Sequence, residues 1–466
     1  MLFNSIEFAI FLPIVFLLYW FIFQKNLKLQ NLFNVVVSYI FYGWWDWRFL
    51  FLIAFTSACS FGAGLLIDKY RDTPGKAKAV NVVNIVLNLL ILGVFKYYDF
   101  FVTSFADAFL GGKTDGLLLK VILPVGISFY TFQALSYSID VYRGKLEPTR
   151  DIVQFFAFVS FFPQLVAGPI ERATNLLPQF GAARTFKYDE GVDGLRQILW
   201  GLFKKMVVAD NCAEYVDQVF AGYTHYTGST LLLAALLFTF QIYCDFSGYS
   251  DIAIGTAKLF GIRLMRNFDT PYFSRSVTEF WRRWHISLTT WFRDYVYIPL
   301  GGSRTTRAKV VRNILVVFLL SGLWHGANWT FIVWGAYHGL LLCLEKSLKR
   351  KSVSPLTSNL LPLTFFLVLL GWIVFRSASL ADAWGYLGGL FSSSLFSVPF
   401  LFVGTKKTLL MVAVMLVLEW FTRSKEHALQ FDKTTKPWLA WVFSLAVVLM
   451  ILEFSTVSQS FIYFQF

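Results

Sequence analysis

The sequence has 466 residues, of which 56% are hydrophobic and only 15% are charged. A soluble domain carries roughly a quarter charged residues, and its core could not hide the 52 Phe side chains of this chain. Many of them must therefore face lipid. The net charge of +13 fits basic loops on the cytoplasmic side of a membrane better than a surface that binds nucleic acid. We expect an all-α integral membrane protein that has no nucleic-acid partner.

The four cysteines, Cys59, Cys212, Cys244 and Cys343, form no CxxC pair, and three of them lie inside apolar runs. This pattern favours neither a disulfide framework nor a zinc site, so we expect no metal and no tightly bound cofactor. The apolar stretch 1–24 lacks a basic leader and a small-residue cleavage site. We interpret it as the first membrane helix and not as a signal peptide.

A membrane-spanning helix needs about 20 mostly apolar residues, and such runs recur along the chain. The clear candidates are residues 5–24, 30–45, 48–67, 80–98, 117–140, 192–208, 229–257, 357–375, 407–422 and 437–455. Less regular candidates are residues 151–169, 310–345 and 378–401. They predict about ten to thirteen membrane segments in a single domain over 1–466, best supported over 120–345. The sequence shows no inverted repeat of the kind that transporters often carry.

Basic loops give the expected orientation, and they recur at residues 25–28, 69–78, 143–150, 346–351 and 423–436. The stretch 206–257 contains no Lys or Arg, whereas 258–312 holds eleven. Because Lys and Arg accumulate in cytoplasmic loops, residues 258–312 should face the cytoplasm. Residues 210–228 and the N-terminus should face the outside.

This orientation can be tested with single cysteines, introduced into a cysteine-free variant and labelled with a membrane-impermeant reagent. A cysteine within 210–228 should react in intact cells. A cysteine in the 300–309 loop should react only after the cells are permeabilised, and its labelling in intact cells would contradict the topology.

Proline and glycine interrupt two hydrophobic stretches at three sites, namely Pro124–Gly126 in the first stretch and Pro163 and Gly168–Pro169 in the second. A simple kink would explain any one of them. At membrane depth, however, a broken backbone persists only where protein or a water-filled cavity satisfies its polar groups. The three interruptions together favour a region that lines a cavity.

Residues 270–299 carry too many charges to span a membrane, but they have a helical period. Ser276 and Glu279 form a capping box at the start. We expect one amphipathic helix in the cytoplasmic interface, with a polar stripe formed by Arg282, His285, Thr289 and Arg293. This stripe either faces water and lipid headgroups or lines the entrance to a site for an anionic ligand.

His325 lies in an apolar run, with no other Asp, Glu, Lys, Arg or His between Arg312 and His338. An ionisable residue at membrane depth is a functional hypothesis by default, although a histidine that hydrogen-bonds a neighbouring helix is an alternative. A setting of low polarity disfavours the imidazolium. The neutral ring of His325 could then act as a general base or as a nucleophile, and we interpret His338 as structural.

Two carboxylates, Asp245 and Asp251, lie in another apolar segment. They could pair with Arg side chains as structural ties, or one of them could orient a catalytic histidine. Together with Arg282, Arg293 and Asn328, they are our candidates for residues that bind substrate or donor.

Four motifs resemble a known family, and they lie at residues 161–170 (FFPQLVAGPI), 243–254, 279–288 (EFWRRWHISL) and 322–327 (GLWHGA). They look like the membrane-bound O-acyltransferase (MBOAT) family, and within it the alginate O-acetylation branch of AlgI-like proteins. The resemblance implies a helical fold hollowed by a funnel from each face. It implies that the funnels meet near His325 as the catalytic histidine and that His285 pairs with it.

The resemblance also implies a multi-pass protein of the bacterial inner membrane that uses cytoplasmic acetyl-CoA. The acetyl group would pass outward to a periplasmic or extracellular serine-hydrolase-like partner, which completes its transfer to an exported polysaccharide such as alginate, peptidoglycan or cellulose. Three alternatives remain at this point. They are D-alanyl transfer to teichoic acid, a transporter or flippase component of a polysaccharide export complex, and a non-catalytic scaffold.

Overall fold

The computed structural model describes residues 1–114, 116–166, 168–349, 360–432, 434–455, 459 and 461–462. These residues form helices joined by turns and irregular segments, with no β-strand among them. The predicted all-α class is therefore confirmed. Parts of the features predicted from sequence lie outside the described residues, namely positions 167, 350–351, 357–359 and 433.

The first compact unit, unit 1, comprises residues 1–195 and 253–265. Its helices are α1 (Ile6–Leu17), α2 (Leu27–Gly43), α3 (Phe49–Lys69), α4 (Pro74–Leu92), α5 (Tyr98–Phe109), α6 (Ile127–Tyr142), α7 (Ile152–Ser160), α8 (Phe162–Leu165), α9 (Ala173–Phe180) and the start of α10 (Tyr188–Leu202). A π-helical turn extends α1 to Ile22, and another joins α4 to α5. The apolar runs of the sequence thus locate α1 to α4 and α6 to α8, whereas α5 and α9 were not predicted.

The interruptions predicted from proline and glycine are present in unit 1. Helix α6 begins only after Gly126, whose φ of 74° is a left-handed conformation that glycine adopts without strain. The run 117–140 is therefore helical only from Ile127. In the second interrupted segment, α7 ends at Ser160 and Pro163 lies in the first turn of the short helix α8.

Polar contacts, in addition to apolar contacts, hold the helices of unit 1 together. Asn81, Asn84 and Asn88 form a buried stripe on α4, and Asn84 Nδ2 donates a hydrogen bond of 2.9 Å to Ser138 Oγ on α6. Helix association in lipid gains little from the hydrophobic effect, so hydrogen bonds of this kind and close packing must fix the partners.

The second compact unit, unit 2, comprises residues 196–252 and 266–466. It holds the rest of α10, then α11 (Asp210–Ala221), α12 (Gly228–Leu259) as far as Ile252, α13 (Val277–Arg283), α14 (Ile286–Phe292), α15 (Arg307–His325), α16 (Trp329–Lys349), α17 (Leu361–Arg376), α18 (Leu380–Leu390), α19 (Thr405–Thr422) and α20 (Pro437–Phe454). A π-helical turn, Phe203–Ala209, connects α10 to α11.

Among the described residues, five helices are long and apolar enough to cross a membrane, and they lie at Phe49–Lys69, Pro74–Phe109, Gly228–Leu259, Arg307–His325 and Pro437–Phe454. Ile6–Ile22 and Leu361–Arg376 are shorter apolar helices. The protein is therefore a multi-pass membrane protein. The total of about ten to thirteen segments that the hydropathy indicates stays a prediction.

Helix α12 differs from the other long helices because it is a core element. In the most apolar stretch of α12, 83% of the residues are buried inside the protein, against 11% in that of α20. A helix that is buried all round still has to satisfy each polar side chain that it carries. The partners of Asp245 and Asp251 therefore matter for the stability of unit 2.

The stretch 270–299 is not one amphipathic helix, and that prediction is wrong. One half of the capping box forms, because Ser276 Oγ accepts a hydrogen bond from the backbone N–H of Glu279 at 3.2 Å. The Glu279 carboxylate accepts instead from the backbone N–H of Arg275 at 2.8 Å. Helix α13 nevertheless ends at Arg283, and α14 begins at Ile286. Between them, His285 has a φ of 42°, a left-handed conformation that a continuous helix cannot contain.

Helices α15 and α16 approach each other through glycines. A Cβ atom at Gly322 would come within 2.2 Å of the carbonyl oxygen of Phe331, and one at Gly335 within 2.2 Å of the carbonyl oxygen of Phe318. The two backbones are therefore closer than larger side chains would permit. This contact fixes the end of α15, where His325 lies.

Candidate active site

Two histidines that are forty residues apart in sequence meet inside unit 2. The ring centroids of His285 and His325 are 6.3 Å apart, and the two residues are 1% and 4% exposed. His285 lies at the junction of α13 and α14, and His325 is the last residue of α15. The helix break turns His285 into the protein, whereas Arg282 of α13 stays exposed.

Aromatic side chains surround His325. Its ring packs edge-on against Trp324, Trp334 and Phe375, with centroid distances of 5.2, 5.1 and 5.4 Å. These walls leave His325 few orientations and keep bulk water away from it. An electrostatic or proton-transfer interaction is stronger in such a dry setting than in water.

His285 has a polar partner as well as an aromatic one. Its Nδ1 lies 3.1 Å from Asn267 Oδ1, and its ring packs edge-on against Phe246 with a centroid distance of 4.6 Å. Asn267 is fully buried. The oxygen that faces this nitrogen therefore belongs to an amide and not to Asp245 or Asp251.

The two arginines that were predicted to lie beside His285 are on the surface of the protein instead. Arg282 and Arg293 are both exposed, whereas His285 is buried, so the predicted common stripe does not form. Arg293 Nε donates to Asp294 Oδ1 at 2.7 Å, and this hydrogen bond raises the pKa of Arg293 above its usual value. Donor binding by these arginines remains a prediction.

The two carboxylates of α12 form buried ion pairs with lysines. Lys204 Nζ lies 2.6 Å from Asp251 Oδ2. Lys205 Nζ lies 2.7 Å from Asp245 Oδ1 and 2.6 Å from Asp210 Oδ1. Structural ties were one of the two interpretations of the sequence. The geometry supports them, with lysine as the cation in place of the expected arginine.

The side chain of Asn328 already makes hydrogen bonds within the protein. Its Oδ1 accepts a hydrogen bond of 3.0 Å from the backbone N–H of Thr330 at the start of α16, and its Nδ2 donates to the carbonyl oxygen of Ala378 at 3.0 Å. This is the geometry of a helix cap. A role of Asn328 in substrate binding would have to displace these contacts.

His338, interpreted as structural, is fully buried between tryptophans. Its ring centroid is 5.1 Å from those of Trp281 and Trp334. Within the described part of the chain, neither of its ring nitrogens has a hydrogen-bond partner. Also among the described residues, no group of three or more His, Cys, Asp or Glu side chains could hold a metal ion.

Sequence reasoning missed three buried polar residues of this unit, Lys204, Lys205 and Asn267. The lysines carried a signal, because two consecutive cations interrupt the apolar run 192–208 and oppositely charged partners had to exist. Asn267 carried none, since it lies outside every helix and no periodicity includes it.

The protein thus combines a multi-pass helical fold with a buried histidine pair. The profile of the MBOAT, membrane-bound O-acyltransferase, family matches residues 39–374, and the chain belongs to this family. The protein is therefore an acyltransferase. The matched stretch includes residues of both compact units.

Several relatives are similar over most of the chain. The "Probable alginate O-acetylase AlgI" of Pseudomonas aeruginosa is 42% identical over 396 residues, which cover 84% of this chain and 75% of the relative. The "Peptidoglycan O-acetyltransferase" of Helicobacter pylori is 36% identical over 423 residues, 84% of this chain and 80% of the relative. The "Teichoic acid D-alanyltransferase" of Bacillus subtilis is more distant, at 28% identity over 55% of this chain and 69% of the relative.

The structural role of the buried ion pairs predicts how single and double variants behave. Lys204→Met leaves the Asp251 carboxylate without its cation and should lower the free energy of unfolding by about 3–5 kcal/mol. The double variant Lys204→Met/Asp251→Leu should recover much of this loss. Denaturant unfolding in mixed micelles measures both values.

The exposed pair of Arg71 and Glu147 in unit 1 is the matched control, because its N–O distance is 2.7 Å but its side chains are 52% and 77% exposed. Glu147→Gln should leave the free energy of unfolding almost unchanged, because solvent screens this pair. The structural role of Lys204 is wrong if Lys204→Met is as stable as Glu147→Gln.

Proposed function

We propose that the protein takes an acetyl group from cytoplasmic acetyl-CoA and passes it across the inner membrane for O-acetylation of a cell-envelope polysaccharide. The buried pair of His285 and His325 carries this proposal. One of the two rings can supply the lone pair that acyl transfer needs. The aromatic walls around His325 exclude the water that would otherwise hydrolyse the thioester.

The relatives favour acetyl over other acyl groups. The proteins named for alginate and peptidoglycan acetylation are 36–43% identical to this chain over 84% of its length. The proteins named for D-alanyl transfer reach only 28–30% over 55–56%. Family membership also leaves the transporter and scaffold interpretations without support, because the family is defined by acyl transfer. We propose that residues 1–466 form a single catalytic domain, of which the family match covers residues 39–374.

The donor should approach from the side on which 258–312 lies. This stretch holds eleven Lys and Arg, and the phosphates of acetyl-CoA need cationic partners. Arg282 and Arg293 are exposed and are candidates for this contact at the entrance to the site. They are not candidates for contact with the reacting thioester, because they do not share the buried position of His285.

The chemistry requires one bond to form, one to break and one proton to move. The acetyl carbon forms a bond with the acceptor oxygen while its bond to the sulfur of CoA breaks. The proton of the acceptor hydroxyl leaves with a histidine as general base and finally protonates the CoA thiolate. In the alternative route, a histidine nitrogen first accepts the acetyl group and then passes it to the acceptor.

A partner on the outer face should complete the transfer to polymer. All the described helices belong to the two compact units, and a long glycan must be held in register for repeated transfers. We propose a serine-hydrolase-like protein for this step. The chain would deliver the acetyl group to it, and the partner would select the polysaccharide.

His325→Ala is the decisive variant for this function. It should insert and bind acetyl-CoA as the parent protein does, but it should lower the rate of acetyl transfer by about 10²–10⁴-fold, which is roughly 3–5 kcal/mol of barrier. His285→Ala should also be impaired. The measurement is transfer of labelled acetyl from acetyl-CoA in proteoliposomes, with and without the outer partner.

Two further histidines serve as controls. His225 is exposed in a turn, and His225→Ala should transfer acetyl at the parental rate. His338→Ala should lose activity only in proportion to lost expression. A well-expressed His325→Ala variant with the parental rate would remove His325 from the reaction.

A further inference from the structure

Helix α14 begins without a cap from its own sequence. The residue in the cap position is His285, whose left-handed backbone and imidazole leave the first N–H groups of the helix unsatisfied by its own side chain. Asn267, eighteen residues earlier, takes over this task. Its backbone oxygen accepts from the N–H of Ile286 at 2.9 Å, and its Oδ1 accepts from the N–H of Ser287 at 3.3 Å.

A second backbone contact keeps the two segments in register. The N–H of Asp269 donates to the carbonyl oxygen of Arg283 at 2.9 Å, on the other side of the helix break. The segment 267–269 therefore spans the junction from α13 to α14. The left-handed conformation of His285 is strained for a residue with a side chain, and these hydrogen bonds hold the junction in that conformation.

The contact with Ser287 determines which atom of the Asn267 amide faces His285. A backbone N–H can only donate, so the side-chain atom 3.3 Å from Ser287 N must be the oxygen. The hydroxyl of Ser287 donates to the same atom at 2.9 Å. On the other side of the amide, Nδ2 donates to Ser250 Oγ at 3.2 Å. An amide flip would lose the bond to Ser287 N and would set two N–H donors against each other, so the network favours the oxygen on this side.

The orientation of the amide in turn determines which ring nitrogen of His285 carries a hydrogen. Nδ1 of His285 lies 3.1 Å from the same oxygen, and an amide oxygen can only accept. Nδ1 must therefore carry a hydrogen, which in the neutral ring leaves the lone pair on Nε2. Asn267 is fully buried, so bulk water does not compete for this oxygen.

We propose that Asn267 is a positioning residue that locks His285 in the Nδ1–H tautomer and presents its Nε2 lone pair for acetyl transfer. This inference rests on the proposed function, and it deepens that function by assigning which nitrogen of His285 carries the lone pair beside His325. A neutral amide serves better here than a carboxylate. Aspartate would stabilise the imidazolium, and the imidazolium has no lone pair.

The tautomer can be measured without any assay of activity. The chain has five histidines, so ¹⁵N-histidine labelling of the full-length protein in lipid bilayers gives a simple spectrum, and ¹⁵N shifts distinguish the tautomers. The signals missing from His285→Gln assign this residue. His285 should show a protonated Nδ1 and an unprotonated Nε2 in the parent protein, and this pattern should be lost in Asn267→Ala.

Two variants separate positioning from simple stabilisation. Ser250→Ala removes only the contact of Nδ2 and should leave the tautomer unchanged. Asn267→Asp keeps the acceptor but adds charge, so it should keep Nδ1 protonated and move the acidic limb of the rate profile to higher pH. Asn267→Ala should lower kcat by about 10–100-fold with little change in KM for acetyl-CoA.

A protonated Nε2 on neutral His285 in the parent protein would overturn the proposal, and so would an unchanged His285 spectrum in a folded Asn267→Ala protein. If Asn267→Ala fails to fold, the parent spectrum and Asn267→Asp still decide. The activity of His285→Ala tests the proposed function separately. Parental activity in His285→Ala would show that His285 has no part in the reaction. The ¹⁵N spectrum would still show whether Asn267 determines the tautomer.

Discussion

Asp245 and Asp251 must be neutralised where they lie, because α12 is a core helix and an isolated buried carboxylate would cost several kcal/mol. The cations come from two consecutive residues, Lys204 and Lys205, in the π-helical turn that follows α10. They reach α12 because Gly201 has no side chain, so the two backbones can approach closely. A Cβ atom at Gly201 would lie only 2.5 Å from the carbonyl oxygen of Gly248 on α12. The glycines thus permit the backbone approach that the ion pairs require.

The position of the candidate site depends on this anchored helix. Ser250, next to Asp251 on α12, accepts a hydrogen bond from Asn267, and the opposite side of that amide holds His285. His325 reaches the same place from another direction, through the close packing of α15 on α16. Two independent constraints, one ionic and one steric, therefore bring the two imidazoles together.

The apolar runs and the Pro/Gly interruptions predicted most of the helices, because hydrophobic length and backbone chemistry are local properties. The isolation of His325 in an apolar run is also local, and it singled out this residue correctly as buried. The meeting of His285 with His325 came from the family resemblance and not from periodicity. A helical period drawn through 270–299 put His285 on the same stripe as Arg282, which the structure contradicts.

That error has a physical cause. The period assumes one uninterrupted helix, but Asn267 compensates for the break at His285 through contacts that are distant in sequence. The lysine partners of Asp245 and Asp251 are also distant in sequence, so charge alone could predict that partners exist but not which ones they are. The tertiary hydrogen bonds that determine the site therefore could not be predicted from local pattern.

A structure of the protein with a non-hydrolysable acetyl-CoA analogue tests whether the acetyl group is transferred at the buried histidine pair. The acyl carbon should lie within about 3–3.5 Å of a ring nitrogen of His325 or His285, and the phosphates should lie on the side of residues 258–312. An acyl group bound away from both imidazoles would mean that transfer takes place elsewhere.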